Sequence, residues 1–183
     1  MPLFFEKFDN TNPDHHAAAQ EISGWTQGAH MLPLTPEKMA AHVLGLLAYE
    51  VNIPELPKVA GYRAVTETYV DQEVYEIGAL VVNPTMRGKG YGSEIANELV
   101  DVAQAVFPQA TLLAFCNPHS APISLARGFT EVTDPKEVPR QALALCQGCP
   151  KFAALPVGTV CCDTILQLQP GAPGAKPSCQ PPQ

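Results

Sequence analysis

Hydrophobic and polar positions follow different periods along the 183-residue chain, and the change of period near its middle organises the rest. Between Ile77 and Val82 the sequence IGALVV carries no charge and ends on two β-branched residues, which predicts a strand buried on both faces. Asn83-Pro84 closes it, because proline has no N–H for a ladder. Beyond Gly92 the apolar residues Ile95, Leu99, Val102, Ala103 and Val106 fall at i, i+4, i+7, i+8 and i+11, while Glu94, Asn97, Glu98, Asp101 and Gln104 point elsewhere. That spacing predicts an amphipathic helix of about four turns, ending around Phe107-Pro108. Thr111 to Cys116 returns as an apolar strand parallel to the first, which makes a right-handed βαβ crossover.

Upstream, Val59 to Val70 alternates, with Tyr62, Ala64, Thr66 and Thr68 on one side and Gly61, Arg63, Val65, Glu67 and Tyr69 on the other. It reads as a strand that turns at Asp71-Gln72-Glu73 and pairs as an antiparallel hairpin with the strand holding Glu76. Thr35-Pro36-Glu37-Lys38 is a helix start, with Thr as N-cap and Pro at the first position; this helix is expected to end near Leu44 or Gly45. Leu46 to Val51 fits a strand or a continued helix, and 52–58, with Pro54 and Pro57, fits a loop. Residues 1–35 are broken by Asn10, Asn12, Pro13, Gly24, Gly28 and Pro33. There His15-His16 reads as a surface loop or helix start rather than a metal pair, and Trp25 as a core side chain. After Phe129 the sequence predicts a strand over 130–133, a short helix from Asp134-Pro135 to about Cys146, and a last strand from Thr159 to Leu168.

These elements predict a mixed α/β fold in one domain over residues 1–168, with a cysteine-containing region at 134–168. Residues 169–183, QPGAPGAKPSCQPPQ, hold five prolines and no large apolar side chain, so they are expected to remain a disordered tail. Hydrophobic content of 46% and charged content of 16% are those of a globular protein. The formal net charge of -7 argues against nucleic acid and favours cationic partners such as amines. Met1 to Phe5 is followed at once by Glu6, Lys7 and Asp9, which does not read as a signal peptide. Apolar runs stay below the roughly 20 residues of a membrane span. A cytoplasmic protein with reduced cysteines is expected.

The turn after the 77–82 strand carries Gly88, Gly90 and Gly92, spaced to bring backbone close to a ligand at a helix N-terminus. Free N–H groups and the helix dipole make that a phosphate site, and Arg87 and Lys89 add positive charge. Ser93 occupies the place of the last glycine of GxGxxG, and no GK[ST] follows Lys89, so neither the dinucleotide nor the P-loop pattern is met. Arg87-Gly88-Lys89-Gly90-Tyr91-Gly92 does resemble R/Q-x-x-G-x-G/A, the signature of the GNAT superfamily of acyl-CoA-dependent N-acetyltransferases, with Val82-Asn83-Pro84 where that family has V-x-P. A second landmark agrees. Asn117, Gly128 and Phe129 match N-x-x-A-x-x-L-Y-x-x-x-G-F, although Ser120 replaces the Ala, Ile123 the Leu and Ser124 the Tyr.

The resemblance implies a mostly antiparallel twisted sheet with one parallel crossover and helices on both faces. It implies an acetyltransferase that moves acetyl from acetyl-CoA to a primary amine of a small molecule or peptide, by direct attack in a ternary complex. It places the CoA pyrophosphate on Arg87, Gly88, Lys89, Gly90, Tyr91, Gly92 and Ser93, and the pantetheine along Leu80, Val81 and Val82. Asn117 orients the pantetheine or caps the short helix after it. Many relatives carry a carboxylate six residues before the V of V-x-P, which here is Glu76, a general-base candidate because partial desolvation beside the apolar run would raise its pKa; the other reading is a strand-start Glu in water. Glu50, Glu67 and Tyr75 are further candidates. Ser124 stands at the usual tyrosine acid position but lacks tyrosine's acidity, so either another group such as His119 or a water takes that role or the thiolate leaves unprotonated. A non-catalytic acyl-CoA-binding or interaction module on the same scaffold is the alternative. Cys146-x-x-Cys149 with Cys161-Cys162 has the look of a structural zinc site, although adjacent strand residues face opposite sides; the other reading is small buried thiols. The oligomeric state stays open, a homodimer included.

Overall fold

The computed structural model describes residues 2–26, 33–51, 57–69, 73–134, 137–144 and 164–172. In chain order they form β1 (Leu3–Lys7), α1 (Pro13–Thr26), α2 (Pro36–Ala41), β2 (Leu44–Glu50), β3 (Lys58–Tyr69), β4 (Val74–Val82), α3 (Tyr91–Val106), β5 (Thr111–Cys116), α4 (Ala121–Ala126), β6 (Thr130–Glu131), α5 (Arg140–Ala144) and β7 (Thr164–Leu168). The strands make one sheet in the order β1-β2-β3-β4-β5-β7-β6. Its pairs are antiparallel except β4 with β5, the predicted crossover through α3. Among the described residues no helix is long and apolar enough to cross a membrane.

Alternation along the strands sends neighbouring residues to opposite faces. On one face Leu47, Tyr62, Ala64 and Val81 pack against Ala18, Ala19 and Ile22 of α1 and Met39 of α2. On the other, Leu46, Val65, Ile77, Leu112 and Ala114 pack against Leu99, Val100 and Ala103 of α3. The sheet therefore separates two apolar layers.

Several expectations are corrected. The punctuated N-terminal segment holds β1 and α1, because Asn12 is a cap and not a breaker: its Oδ1 accepts the Asp14 N–H at 2.9 Å, and Pro13 takes the first helical position. Residues 44–50 are strand throughout, and α2 stops at Ala41. Continuous burial between β1 and β3 erases the alternation that would have told strand from helix. On α3 the buried stripe runs through Ile95, Ala96, Leu99, Val100 and Ala103, while Val106 is 55% exposed. In β4 only Ile77 and Val81 are buried; within the predicted 77–82 run Gly78, Ala79, Leu80 and Val82 are partly covered, where the strand has no β5 neighbour. The 130–133 strand shortens to Thr130–Glu131, and the helix before Cys146 is described only as Arg140–Ala144. Cys146, Cys149, Cys161, Cys162, the first part of the last predicted strand and the tail from 173 on lie outside the described residues.

β4 also carries an extra residue. Tyr62 pairs with Val81 and Ala64 with Gly78, so one residue of β3 faces two of β4, and Ala79 takes a positive φ of 53°. Beside this bulge Gly61 lets β3 pass beneath α3: a Cβ there would lie 2.3 Å from the Val81 carbonyl oxygen and 2.7 Å from Ile95 Cδ1. Gly61→Ala is expected to destabilise the protein by about 1–3 kcal/mol, the usual cost of overpacking. Urea unfolding checks this, and an unchanged midpoint would contradict it.

Candidate functional site

Parallel pairing joins only Val74–Glu76 to Thr111–Leu113, so the C-terminal halves of β4 and β5 are unpaired with one another. A groove of about 720 Å3 opens at that split. Leu80, Val81, Val82 and Met86 line it on the β4 side, Asn117, His119, Ser120 and Ile123 on the β5–α4 side, and Trp25 of α1 reaches it as well. The glycine turn, with Arg87, Gly88, Gly90, Tyr91, Gly92 and Ser93, also lines it.

Asn83 builds the approach to the turn. Its Nδ2 donates to the Val59 carbonyl at 3.0 Å, and its Oδ1 accepts the Thr85 N–H at 3.0 Å and the Thr85 hydroxyl at 2.8 Å. That ties the end of β4 to β3 and starts a short 3-10 turn over Pro84–Met86. Gly88 and Gly90 then take φ of 81° and 86°, a region costly for residues with a Cβ. Gly90 is the N-cap of α3 and supplies no side-chain bond; its carbonyl accepts the N–H groups of Ser93 and Glu94. The N–H groups of Tyr91 and Gly92 have no intrahelical acceptor and stand at the positive end of the dipole. A Cβ on Gly92 would already touch Val82 Cγ2 at 3.5 Å and Ile123 Cδ1 at 3.6 Å, so glycine keeps this corner of the groove clear.

The two cations of the turn differ. Arg87 lines the groove, its Nε 3.4 Å from the Val82 carbonyl. Lys89 turns away and pairs with Glu50 at 3.1 Å. Glu50, at the end of β2, is 6% exposed and also accepts the Tyr91 hydroxyl. The Tyr91 bond, then the Lys89 bond, hold its carboxyl below the usual carboxylate range, and the same Glu50 bond pushes Tyr91 up to about 12. Glu50 is thus a structural counter-charge beneath the turn.

Glu76 lies on the α1–α2 face, where Tyr69 donates to its Oε2 at 3.1 Å and its Oε1 comes within 3.7 Å of where a Gly78 Cβ would stand. It does not line the groove itself and sits four residues before Leu80. Ser124 is 3% exposed, and its Oγ faces Cys116 Sγ at 3.7 Å, so its side chain is turned into the core. Asn117 lines the groove and closes the turn before α4, where Ser120 is the N-cap: its Oδ1 accepts the N–H groups of His119 at 2.9 Å and Ser120 at 3.0 Å. Tyr75 stacks on Phe107 at 4.2 Å, on the α3 side. His15 is buried at the start of α1; its Nδ1 accepts the Asp9 N–H at 3.0 Å, so Nε2 carries the proton given to Glu6 at 2.9 Å. Among the described residues no three His, Cys, Asp or Glu side chains are grouped to hold a metal ion.

Sequence reasoning missed Trp25 as a groove residue and placed it in the core alone; it is half-buried against α1's core and lines the groove too. It also missed a second cavity of about 450 Å3 bounded by Phe8, Asp9, Met39, His42 and Gly45. There His42 Nδ1 lies 2.8 Å from the hydroxyl of the buried Tyr62, and burial lowers His42 to about 4, which keeps it neutral at neutral pH.

This arrangement has counterparts. N-acetylglutamate synthase from Neisseria gonorrhoeae, complexed with coenzyme A and N-acetyl-glutamate, superposes with a TM-score of 0.62 at 14% identity, over 93% of this chain and 35% of that one. This chain therefore spans about a third of the Neisseria enzyme. The ribosomal-protein-S18-alanine N-acetyltransferase from Escherichia coli gives 0.56 at 16% identity over 94% and 97% of the two chains. The IAA acetyltransferase from Bacillus cereus gives 0.54 at 14% identity over 92% and 99%. At such identities the likeness shows the fold alone. No curated protein matches the sequence significantly. The model of the acetyltransferase (GNAT) family matches residues 10–129, well over half of the chain. The chain belongs to the GNAT acetyltransferase family.

Proposed function

We propose that the protein is an N-acetyltransferase that moves acetyl from acetyl-CoA to a primary amine of a small molecule or peptide within a ternary complex. The observation that carries this reading is the groove at the β4–β5 split with the positive-φ glycine turn at its rim. The N–H groups of Gly90, Tyr91 and Gly92, with the Arg87 guanidinium, suit the pyrophosphate. Lys89, drawn to Glu50, contributes little there. The unpaired edge of β4 at Leu80–Val82 offers backbone groups to the amide-bearing pantetheine, as a strand would.

The bulge supports the next step. By breaking the ladder at Ala79 it frees backbone N–H from β3, and such a donor stabilises the oxyanion when the amine attacks the thioester carbon. The C–N bond forms, the amine's proton passes to Glu76 through water, and the C–S bond breaks. The CoA thiolate takes its proton from water or from His119 at the groove wall, because Ser124 faces Cys116. A net charge of -7 favours encounter with a cationic amine, and the reading sets the enzyme in the cytoplasm. Ser124 favours a second reading, a CoA-binding module that does not turn over.

Two variants test these readings. Asp tolerates positive φ better than most residues, so Gly90→Asp is expected to fold while its carboxylate repels the pyrophosphate; calorimetry should show CoA affinity at least tenfold weaker. Glu76→Gln is expected to lower kcat by roughly 10²-fold or more with CoA affinity unchanged, as loss of a general base does. Affinity untouched by Gly90→Asp would count against the site. CoA binding without acetyl transfer to any of a panel of amines would leave the module.

A further inference from the structure

Arg63 in β3 is 4% exposed, its Nε has no hydrogen-bond partner, and no carboxylate among the described residues pairs with its guanidinium. Burial lowers it only to about 10, so it stays charged at neutral pH, and Cys116 is the titratable group that acts on it. An unpaired buried charge is among the costliest features a core can hold. Its place is specific. Because Tyr62 pairs with Val81 and Ala64 with Gly78, Arg63 stands against the bulge at Ala79 and Leu80. Glu76 pairs with Leu113 in parallel, and counted along each strand from that pair Ala79 and Cys116 are both three residues on, where β4 and β5 are no longer paired. Opposite Arg63 across β2 is Leu46, which packs on the α3 side. Arg63 therefore stands behind the bulge at the head of the split; it does not itself line the groove, whose wall there is formed by Leu80 of the bulge and by Asn117, next to Cys116.

If the pyrophosphate lies at the glycine turn, the acyl group lies at this bulged end. We propose that the preferred donor is the CoA thioester of a short dicarboxylic acid, malonyl or succinyl in class, whose free carboxylate pairs with the Arg63 guanidinium. The inference rests on the CoA reading above. The transfer is unchanged: the C–N bond forms as the C–S bond breaks, and the distal carboxylate only binds. A planar, always-charged fork is the side chain suited to a carboxylate in a dry site.

The test compares donors of equal length on the wild-type protein. Calorimetry at neutral pH with succinyl-CoA against butyryl-CoA, and malonyl-CoA against propionyl-CoA, is expected to show the charged member of at least one pair binding tenfold or more tightly. Arg63→Gln should abolish that preference while leaving acetyl-CoA affinity within about twofold, and Arg63→Lys should keep part of it. Equal affinities, or a neutral donor preferred, overturn the inference and leave the CoA site standing. A preference that survives in folded Arg63→Gln removes it from Arg63. Should Arg63→Gln fail to melt cooperatively, the wild-type pairs and Arg63→Lys decide. Absence of binding by every thioester would defeat the CoA reading itself.

Discussion

The separation of β4 from β5 beyond Glu76 is the constraint on which the rest depends. A parallel pair that continued would satisfy the backbone of Leu80–Val82 and leave no groove. Three residues beyond the last pair β4 takes on an extra residue at Ala79, and a bulge of this kind bends a strand. Gly61 allows that bend to sit under α3, and Asn83 anchors its far end to β3. The loosest part of the sheet is thus fixed on both sides by close packing, and a ligand meets edges already in place.

Charge is distributed to the same end. The protein carries a net charge of -7, and the glycine turn carries two cations, yet one of them is spent on Glu50. A diphosphate at the turn would be held by main-chain N–H groups and Arg87, while the Glu50–Tyr91–Lys89 cluster braces the turn from beneath. Arg63 is the opposite case: a buried charge that no carboxylate among the described residues pairs with, beside the bulge at the head of the same split.

Much of this was legible in the sequence. The uncharged run at 77–82, the 3.6-residue stripe on α3 and the spaced glycines located the crossover and the turn, because each follows from a period or from a glycine that only a positive φ explains. Other features left no local trace. Continuous burial of β2 removed its alternation, and Asn12-Pro13 resembled a break when it was a cap. The bulge at Ala79 has no sequence signature, and partners such as Glu50 for Lys89 or Cys116 for Ser124 are set only by tertiary packing. Arg63 could have been noticed as a charge on the Gly61–Val65 side of an alternating strand, a side the rest of the sequence makes apolar near the middle of the sheet.

The central claim is that the backbone of the glycine turn and of β4 beyond its bulge grips coenzyme A. Amide chemical shifts followed by NMR during titration with CoA test it most directly. The account predicts that the largest changes fall on Gly88, Gly90, Tyr91 and Gly92, with a second group at Leu80 to Val82. Largest changes at the cavity of Phe8, His42 and Gly45, or no saturable change anywhere, would contradict it.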